Sequence, residues 1–324
     1  MASKTNILLF GGSGYIGGTL LDRLLKHPKA STFDIVTPAR DPEKAEVLRK
    51  LGAKPEIAAL SDFDKIEALA SRADVIFNLA NADNVPQMNA VLKGIRKRHA
   101  ATGKPPVLIH TTGLGEIKSI PAAALHRNVD LVVIGADEEG YARSYLISPG
   151  IVYGLASAPA HDAGIAKKFS IQIPGLAKAA LARKRAGIVG PGKAVWPHAH
   201  VDDVADIYVN LFDAIAKDPQ SVGHGWEGYY FVENGEVAWY DVGKAMARRS
   251  SSRLLGLTGR GQLRRDDMRA KAERARTIGW KPKHADILGT IKAEVELQWA
   301  VAQKNGGEVD FTFERGLAKL FGFA

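Results

Sequence analysis

Ile7-Leu8-Leu9-Phe10-Gly11-Gly12-Ser13-Gly14-Tyr15-Ile16-Gly17-Gly18 is the stretch on which the reading of this chain turns. Four consecutive apolar residues predict a strand buried on both faces. Glycines follow at 11, 14 and 17, a G-x-x-G-x-x-G spacing, and apolar residues then recur at helical spacing from Tyr15 to Leu25. The spacing has a physical sense. One glycine permits a tight turn off the strand, a second lets backbone approach a pyrophosphate, and a third lets the helix pack on the strand. The helix N-terminus offers unpaired N–H groups and the positive end of its dipole to the phosphates. A glycine string alone is only a turn, but here it joins a buried strand to an amphipathic helix, as nucleotide binding requires.

Outward from this loop, short apolar runs alternate with amphipathic ones. Strands are predicted at Ile7–Phe10, Phe33–Thr37, Ile57–Leu60, Asp74–Asn78, Val107–His110 and Tyr145–Ser148. Helices are predicted at Tyr15–Leu25, Pro42–Leu51, Asp62–Ser71, Val85–Ala101 and Asn128–Glu139, with Asp41 as an N-cap before Pro42. Strands alternating with helices call for a parallel sheet covered on both faces, because parallel strands need long crossovers. After Tyr153 the pattern loosens into the longer, less regular segments Ile165–Arg185 and Val201–Ala216. A short strand Tyr229–Val232 and helices near Trp239–Arg249, Arg264–Arg276 and Asp286–Gln303 follow. The expected division is a nucleotide-binding domain over 1–155 and a smaller, mostly helical substrate lobe over 156–324 with chain crossings back to the sheet.

The 324 residues include no cysteine, which excludes a disulfide framework, a thiol nucleophile and any cysteine-ligated metal. No apolar run reaches the roughly 18 residues of a membrane-spanning helix, and Ile7–Phe10 is too short for a signal-peptide core. A cytoplasmic protein is the expectation. The net charge of +9 admits nucleic acid, an acidic small ligand or simple solubility, so the placement of the charge must decide.

Further segments carry a family likeness: Asn78-Leu79-Ala80, His110-Thr111-Thr112-Gly113, Ser148-Pro149-Gly150-Ile151-Val152-Tyr153-Gly154, His200-Val201-Asp202-Asp203-Val204-Ala205 and Ile278-Gly279-Trp280-Lys281-Pro282. With the glycine loop, they resemble the short-chain dehydrogenase/reductase superfamily in its extended or atypical branch, epimerase/dehydratase-like and NmrA-like. The resemblance spans nearly the whole chain. It implies an α/β fold with a Rossmann-type doubly wound parallel sheet, a nicotinamide dinucleotide and a small-molecule substrate. It also implies a homodimer through helices flanking the sheet. The cofactor-binding residues it implies are Gly11, Gly14, Tyr15, Ile16, Gly17, Arg40, Leu60, Leu79, Ala80, Asn81, Pro149, Gly150, Ile151 and Val152.

The second strand closes as Val36-Thr37-Pro38-Ala39-Arg40, without the carboxylate that would hold an NAD ribose. An arginine there can pair bidentately with a 2′-phosphate, which favours NADP(H) over NAD(H). The aspartate that the resembled family often places after its third strand is Ala59 here, and Asp62 reads as a helix cap.

The resemblance implies a Ser or Thr after strand five, matched by Thr112, and a Tyr-x-x-x-Lys pair that is absent. Tyr141 and Tyr145 have no lysine four residues on. The family's interval back from Ser148-Pro149 lands near His126 and Asp130. Positions i and i+4 share a helix face, and an imidazole oriented by a carboxylate can exchange a proton near neutral pH. The competing reading makes His126 the start of a helix and Asp130 a solvent-facing residue. Tyr153 is a further candidate near the nicotinamide end.

His198, His200, Asp202 and Asp203 could supply metal ligands, but the resemblance accounts for them as a turn into a helix capped by aspartate, so no metal is expected. Trp196 lines the cleft or packs in the core. The arginines and lysines between Lys244 and Arg276 lack interleaved aromatics, which argues against nucleic acid. They read as a solvated face or as a site for an anionic substrate. The function expected is NADPH-dependent hydride transfer to a small carbonyl or activated alkene. The alternatives are a dinucleotide-binding sensor without turnover and an epimerase/dehydratase-type isomerase or lyase.

Overall fold

In the computed structural model, which describes residues 4–113, 126–188, 191–249, 257–259, 268–312 and 315, strand and helix alternate through the first half. The order is β1 (Thr5–Phe10), α1 (Tyr15–Leu25), β2 (Phe33–Ala39), α2 (Pro42–Lys50), β3 (Lys54–Ile57), α3 (Phe63–Ala70), β4 (Val75–Asn78), α4 (Val85–Thr102), β5 (Val107–Thr111), α5 (Arg127–Glu138) and β6 (Arg143–Pro149). Next come β7 (Ile151–Tyr153), α6 (Pro159–Asp162), α7 (Gln172–Arg183), β8 (Ala186–Ile188), β9 (Val195–His200) and α8 (Val201–Lys217). The chain continues with β10 (Tyr229–Val232), β11 (Glu236–Ala238), α9 (Trp239–Arg249), β12 (Leu257–Gly259), α10 (Glu273–Thr277) and α11 (Ile287–Lys304).

Seven parallel strands form the main sheet in the order β10-β6-β5-β4-β1-β2-β3. This is the Rossmann-type doubly wound sheet. Strand order reverses between β1 and β4, where Phe10 pairs with Asn78, and ligands of open α/β sheets bind outside the strand ends at such a point. The pleat divides the buried residues. Ile7 and Leu9 face a core shared with α1, α2 and α8, while Leu8 and Phe10 face α3, α4 and α5. Each such side chain buried contributes on the order of 2 kcal/mol. A third core, including Ile151, Tyr153, Val237 and Ile291, holds the C-terminal region together.

Local signals explain the element ends. Asp41 caps α2 by accepting from the Glu43 N–H at 2.9 Å, as expected. Asn84 caps α4 through the Gln87 N–H at 3.1 Å, and Gly103 ends it in the left-handed region.

Several expectations are corrected. The third strand lies at Lys54–Ile57, not Ile57–Leu60. It is the sheet's edge, so Lys54 and Ile57 meet solvent and the apolar run that follows belongs to the turn. Asp62 precedes α3, yet its carboxylate turns back to the Ala59 N–H at 2.7 Å. The helix expected at Arg264–Arg276 is short, Glu273–Thr277, and residues 264–267 lie outside those described. The C-terminal region is helical, and it also carries two small sheets, β11-β9-β7 and β12-β8. The chain crosses back through β10, which extends the main sheet beside β6, and through α8, which packs on α1. Arg23 of α1 bridges Asp202 and Asp206 of α8 at 2.8 and 3.0 Å.

Candidate active site

The glycine turn closes on itself at the end of β1. Gly11 adopts a left-handed conformation (φ +86°), and its carbonyl accepts from the Gly14 N–H at 2.7 Å. A Cβ on Gly17 would stand 2.0 Å from that same carbonyl oxygen, so only glycine lets α1 start this close to the strand. A Cβ on Gly11 would meet the Leu79 carbonyl at 2.8 Å, which seats the loop against the end of β4. No side chain caps α1. These features fit a dinucleotide: a tight backbone cradle at the switch point and an uncapped helix N-terminus facing it. Tyr15 and Ile16 offer their backbone there. The Tyr15 ring does not, because its hydroxyl donates to the Gly154 carbonyl at 2.6 Å and ties the loop to the turn after β7.

Beside the loop, a Cβ on Gly12 would fall 2.5 Å from the Thr37 hydroxyl oxygen, so the end of β2 flanks the glycine turn. Arg40 follows at the strand's end, exposed, with no carboxylate partner among the described residues. Leu60 and Ala80 are half-buried against the core beneath α3, α4 and α5, and Leu79 against the core shared with α1, α2 and α8. The Asn81 side chain serves its own turn, accepting from the Asp83 N–H at 3.0 Å. Of Pro149, Gly150, Ile151 and Val152, only Gly150 keeps exposure. Ile151 and Val152 sink into two different cores, so their side chains have no surface for a cofactor.

Past β5, Thr112, His126 and Asp130 come together, though not in the pairing the sequence suggests. His126 is the N-cap of α5 in a left-handed conformation (φ 67°). Its ring covers Gly113, where a Cβ would stand 2.3 Å from the ring Cδ2. The carboxylate that holds it is Asp83, not Asp130. Asp83 Oδ1 accepts from the His126 backbone N–H at 3.0 Å and lies 2.9 Å from Nδ1. Burial alone would raise the Asp83 pKa, but the His126 contacts outweigh it and the carboxyl lies below its ordinary value. Asp130 is not solvent-facing either. It is buried, and its Oδ2 accepts from the Thr112 hydroxyl at 2.9 Å and from the Tyr229 hydroxyl at 3.3 Å. Burial pushes its pKa up to about 6 against those two bonds. Ser148 steadies the strand end by donating to the Gly113 carbonyl at 2.7 Å.

Tyr153 is not placed as a proton donor. It is fully buried, wedged between the His198 and His200 rings, and its hydroxyl donates to the His284 carbonyl at 3.0 Å. Burial beside Asp203 raises its pKa far above the ordinary tyrosine value. The aspartate expected to cap α8 does another job. His200 is the N-cap, accepting from the Asp202 N–H at 3.3 Å, while Asp203 receives the N–H groups of Lys283 and His284, each at 2.9 Å. Trp280 reaches the same place, its Nε1 donating to the Asp203 carbonyl at 2.7 Å. The two signature segments thus bind each other. His200, Asp202 and His284 offer ligand atoms within 4.8 Å of one another. The two rings are stacked at 4.3 Å, so their in-plane lone pairs do not converge on one point, and Asp202 is already paired with Arg23.

Trp196 packs edge-on against Trp239 at 5.5 Å. Three described arginines of the C-terminal stretch are paired: Arg269 with Glu236, Arg274 with Glu227 and Arg276 with Glu233. Arg253, Arg260, Arg264 and Arg265 lie outside the described residues. No helix among the described residues is long and apolar enough to cross a membrane.

Sequence reasoning missed Asp83, His110, Tyr229 and Glu294. The first three surround Asp130 and His126, contributed from separate elements. Glu294 of α11 is fully buried and accepts from the Gly154 N–H at 3.0 Å, and burial pushes its pKa up to about 7. Only a buried acid on an apolar helix face hinted at it.

Residues 7–101 match the model of the NAD dependent epimerase/dehydratase family. An oxidase, ucsJ of Acremonium sp, is 27% identical over 279 residues, covering 74% of this chain and 77% of that protein. Eugenol synthase 2 of Clarkia breweri is 26% identical over 182 residues, covering 50% of this chain and 57% of that protein. In structure, the chain resembles a UDP-glucose-4-epimerase from Stenotrophomonas maltophila solved with bound NAD. Its TM-score is 0.67 at 17% identity, with 93% of this chain and 99% of that one covered, a likeness of fold.

Proposed function

From the match of residues 7–101 to the NAD dependent epimerase/dehydratase family and the fold shared with a solved UDP-glucose-4-epimerase, we propose that this is an NADP(H)-dependent oxidoreductase of the extended short-chain dehydrogenase/reductase kind. Its substrate is a small carbonyl compound, an activated alkene or the corresponding alcohol. The observation that carries the reading is the grouping of Thr112 and the Asp83-braced His126 at the end of β5, one strand from the glycine turn at β1 and β4. Arg40 at the end of β2 supports NADP(H), because a guanidinium without a partner suits a 2′-phosphate.

The bound dinucleotide supplies hydride transfer at the nicotinamide. The protein's own part is binding and proton handling. Backbone N–H groups at Tyr15 to Gly17 hold the diphosphate. Arg40 holds the 2′-phosphate, and Thr112 meets the substrate oxygen. His126, partly exposed and braced by Asp83, exchanges the proton with solvent at the rim. A positioned acid–base group of this kind contributes roughly 10²–10⁴-fold.

The test is NADPH consumption with a panel of small aldehydes, ketones and enones, followed at the nicotinamide absorbance. Steady consumption with at least one class is expected. Tight NADP binding without any turnover would favour a sensor. Product without net change in the nicotinamide would favour an epimerase-type reaction.

A further inference from the structure

Below Thr112 sits a buried carboxylate with one oxygen unsatisfied. Asp130 is 2% exposed, and its Oδ2 accepts from Thr112 and Tyr229. Its Oδ1 has no hydrogen-bond partner among the described residues. His110 Nε2 lies 4.0 Å away, equally buried and equally without a partner. The neighbouring bonds fix the state of that ring. Gln87 Nε2 donates to Asn78 Oδ1 at 3.1 Å, which turns the Asn78 amide nitrogen toward His110 Nδ1, also at 3.1 Å. An amide nitrogen only donates, so Nδ1 accepts and the ring proton sits on Nε2, facing Asp130. Burial keeps His110 neutral by pulling its pKa down to about 4.

The groups facing Asp130 are therefore Thr112 and His110 from the end of β5, His126 and Arg127 from the start of α5, and Tyr229 from β10. Arg127 reaches it only through the Tyr229 hydroxyl, at 3.3 Å. No described cation forms an ion pair with the carboxylate closer than the 4.0 Å contact of the neutral His110. Its charged form rests first on the two hydroxyl donors and then on the more distant His126 and Arg127, in a place where charge is costly.

We infer that Thr112 and Asp130 form a two-member proton relay for a substrate hydroxyl at the end of β5. The inference rests on the oxidoreductase reading and assigns that site its substrate chemistry. A hydroxyl that has given its hydrogen to a carboxylate offers only lone pairs to the cleft. The resting pair thus accepts an alcohol and has no hydrogen for a carbonyl oxygen. In the oxidation, the substrate O–H bond breaks and its proton goes to Thr112 Oγ1, while the Thr112 proton passes to Asp130 Oδ2. The electron pair of the substrate C–H bond leaves as hydride to the oxidised nicotinamide, and the C=O double bond forms. Reduction runs the same path backward and starts from protonated Asp130.

The test reads Asp130 directly and needs no substrate. The protein is labelled with ¹³C-carboxyl aspartate, the Asp130 resonance is assigned with Asp130→Asn, and its pH titration is followed without coenzyme, with NADP⁺ and with NADPH. The oxidised nicotinamide is cationic and the reduced one is not. A relay that faces the ring shows a midpoint lower with NADP⁺ than with NADPH, by roughly one unit. Thr112→Val, which removes a donor from the charged form, raises the midpoint, and Thr112→Ser leaves it near the wild-type value. Equal midpoints with two coenzymes that both bind would overturn the relay, as would a Thr112→Val midpoint matching wild type. Calorimetry on the same samples separates the remaining case: with no binding of either coenzyme, the oxidoreductase reading fails and the relay falls with it.

Discussion

The Gly11 carbonyl oxygen lies 2.0 Å from where a Cβ on Gly17 would stand, and that single approach sets how closely α1 springs from β1. Gly17→Ala forces strand and helix apart. Overpacking of this kind costs roughly 1–3 kcal/mol, so the variant should melt several degrees below wild type in thermal denaturation. Gly14→Val separates folding from binding. Its Cβ meets only the Gly11 carbonyl, at 3.0 Å, and otherwise points where a diphosphate would lie. It should stay folded by circular dichroism and lose dinucleotide binding in calorimetry.

Arg40→Ala tests coenzyme choice. A charge-assisted pair to a 2′-phosphate contributes about 1.5–3 kcal/mol, roughly 10–150-fold in affinity. NADP affinity should fall by that factor and NAD affinity by less than about threefold. Equal losses for the two would remove Arg40 from the phosphate site.

His126→Ala should reduce turnover by roughly 10²–10⁴-fold while coenzyme affinity changes little. Asp83→Asn keeps the ring near Gly113 but weakens the contact that braces it, so it should reduce turnover by less. A His126→Ala enzyme as fast as wild type would hand proton transfer to another group.

Buried Glu294 makes a prediction about stability and pH. Its folded pKa, about 7, lies above its ordinary 4.5. Between those values the folded chain binds more protons than the unfolded one, so this group's contribution is favourable at low pH and is lost as pH rises toward 7. Glu294→Gln keeps an acceptor for the Gly154 N–H without the charge. In urea unfolding, it should match wild type near pH 4.5 and exceed it near pH 8 by on the order of 2 kcal/mol. Asp130 follows the same rule over the lower window from 3.8 to about 6.

Much of this was legible in the chain itself. The strand Ile7–Phe10, the glycine spacing and the helix Tyr15–Leu25 carry local signals that do not depend on distant partners, and the parallel sheet follows from their repetition. The edge strand at Lys54–Ile57 was misplaced because one side of it meets solvent and its apolar content is low. His126 and Asp130 were found by their distance from Pro149, but not their partners. The i, i+4 argument assumes helix at both positions, and His126 lies just outside α5 with a positive φ. Asp83 and Tyr229, 43 and 99 positions from the residues they hold, leave no trace in sequence spacing. Tyr153 looked chemical because of its motif, while its hydroxyl is committed to a backbone carbonyl in the C-terminal region.

Isothermal titration of the purified chain with NADP⁺, NADPH, NAD⁺ and NADH tests the central claim most directly. The account predicts saturable heat at one site per chain, at least tenfold tighter for the phosphorylated pair. No heat with any of the four would contradict it.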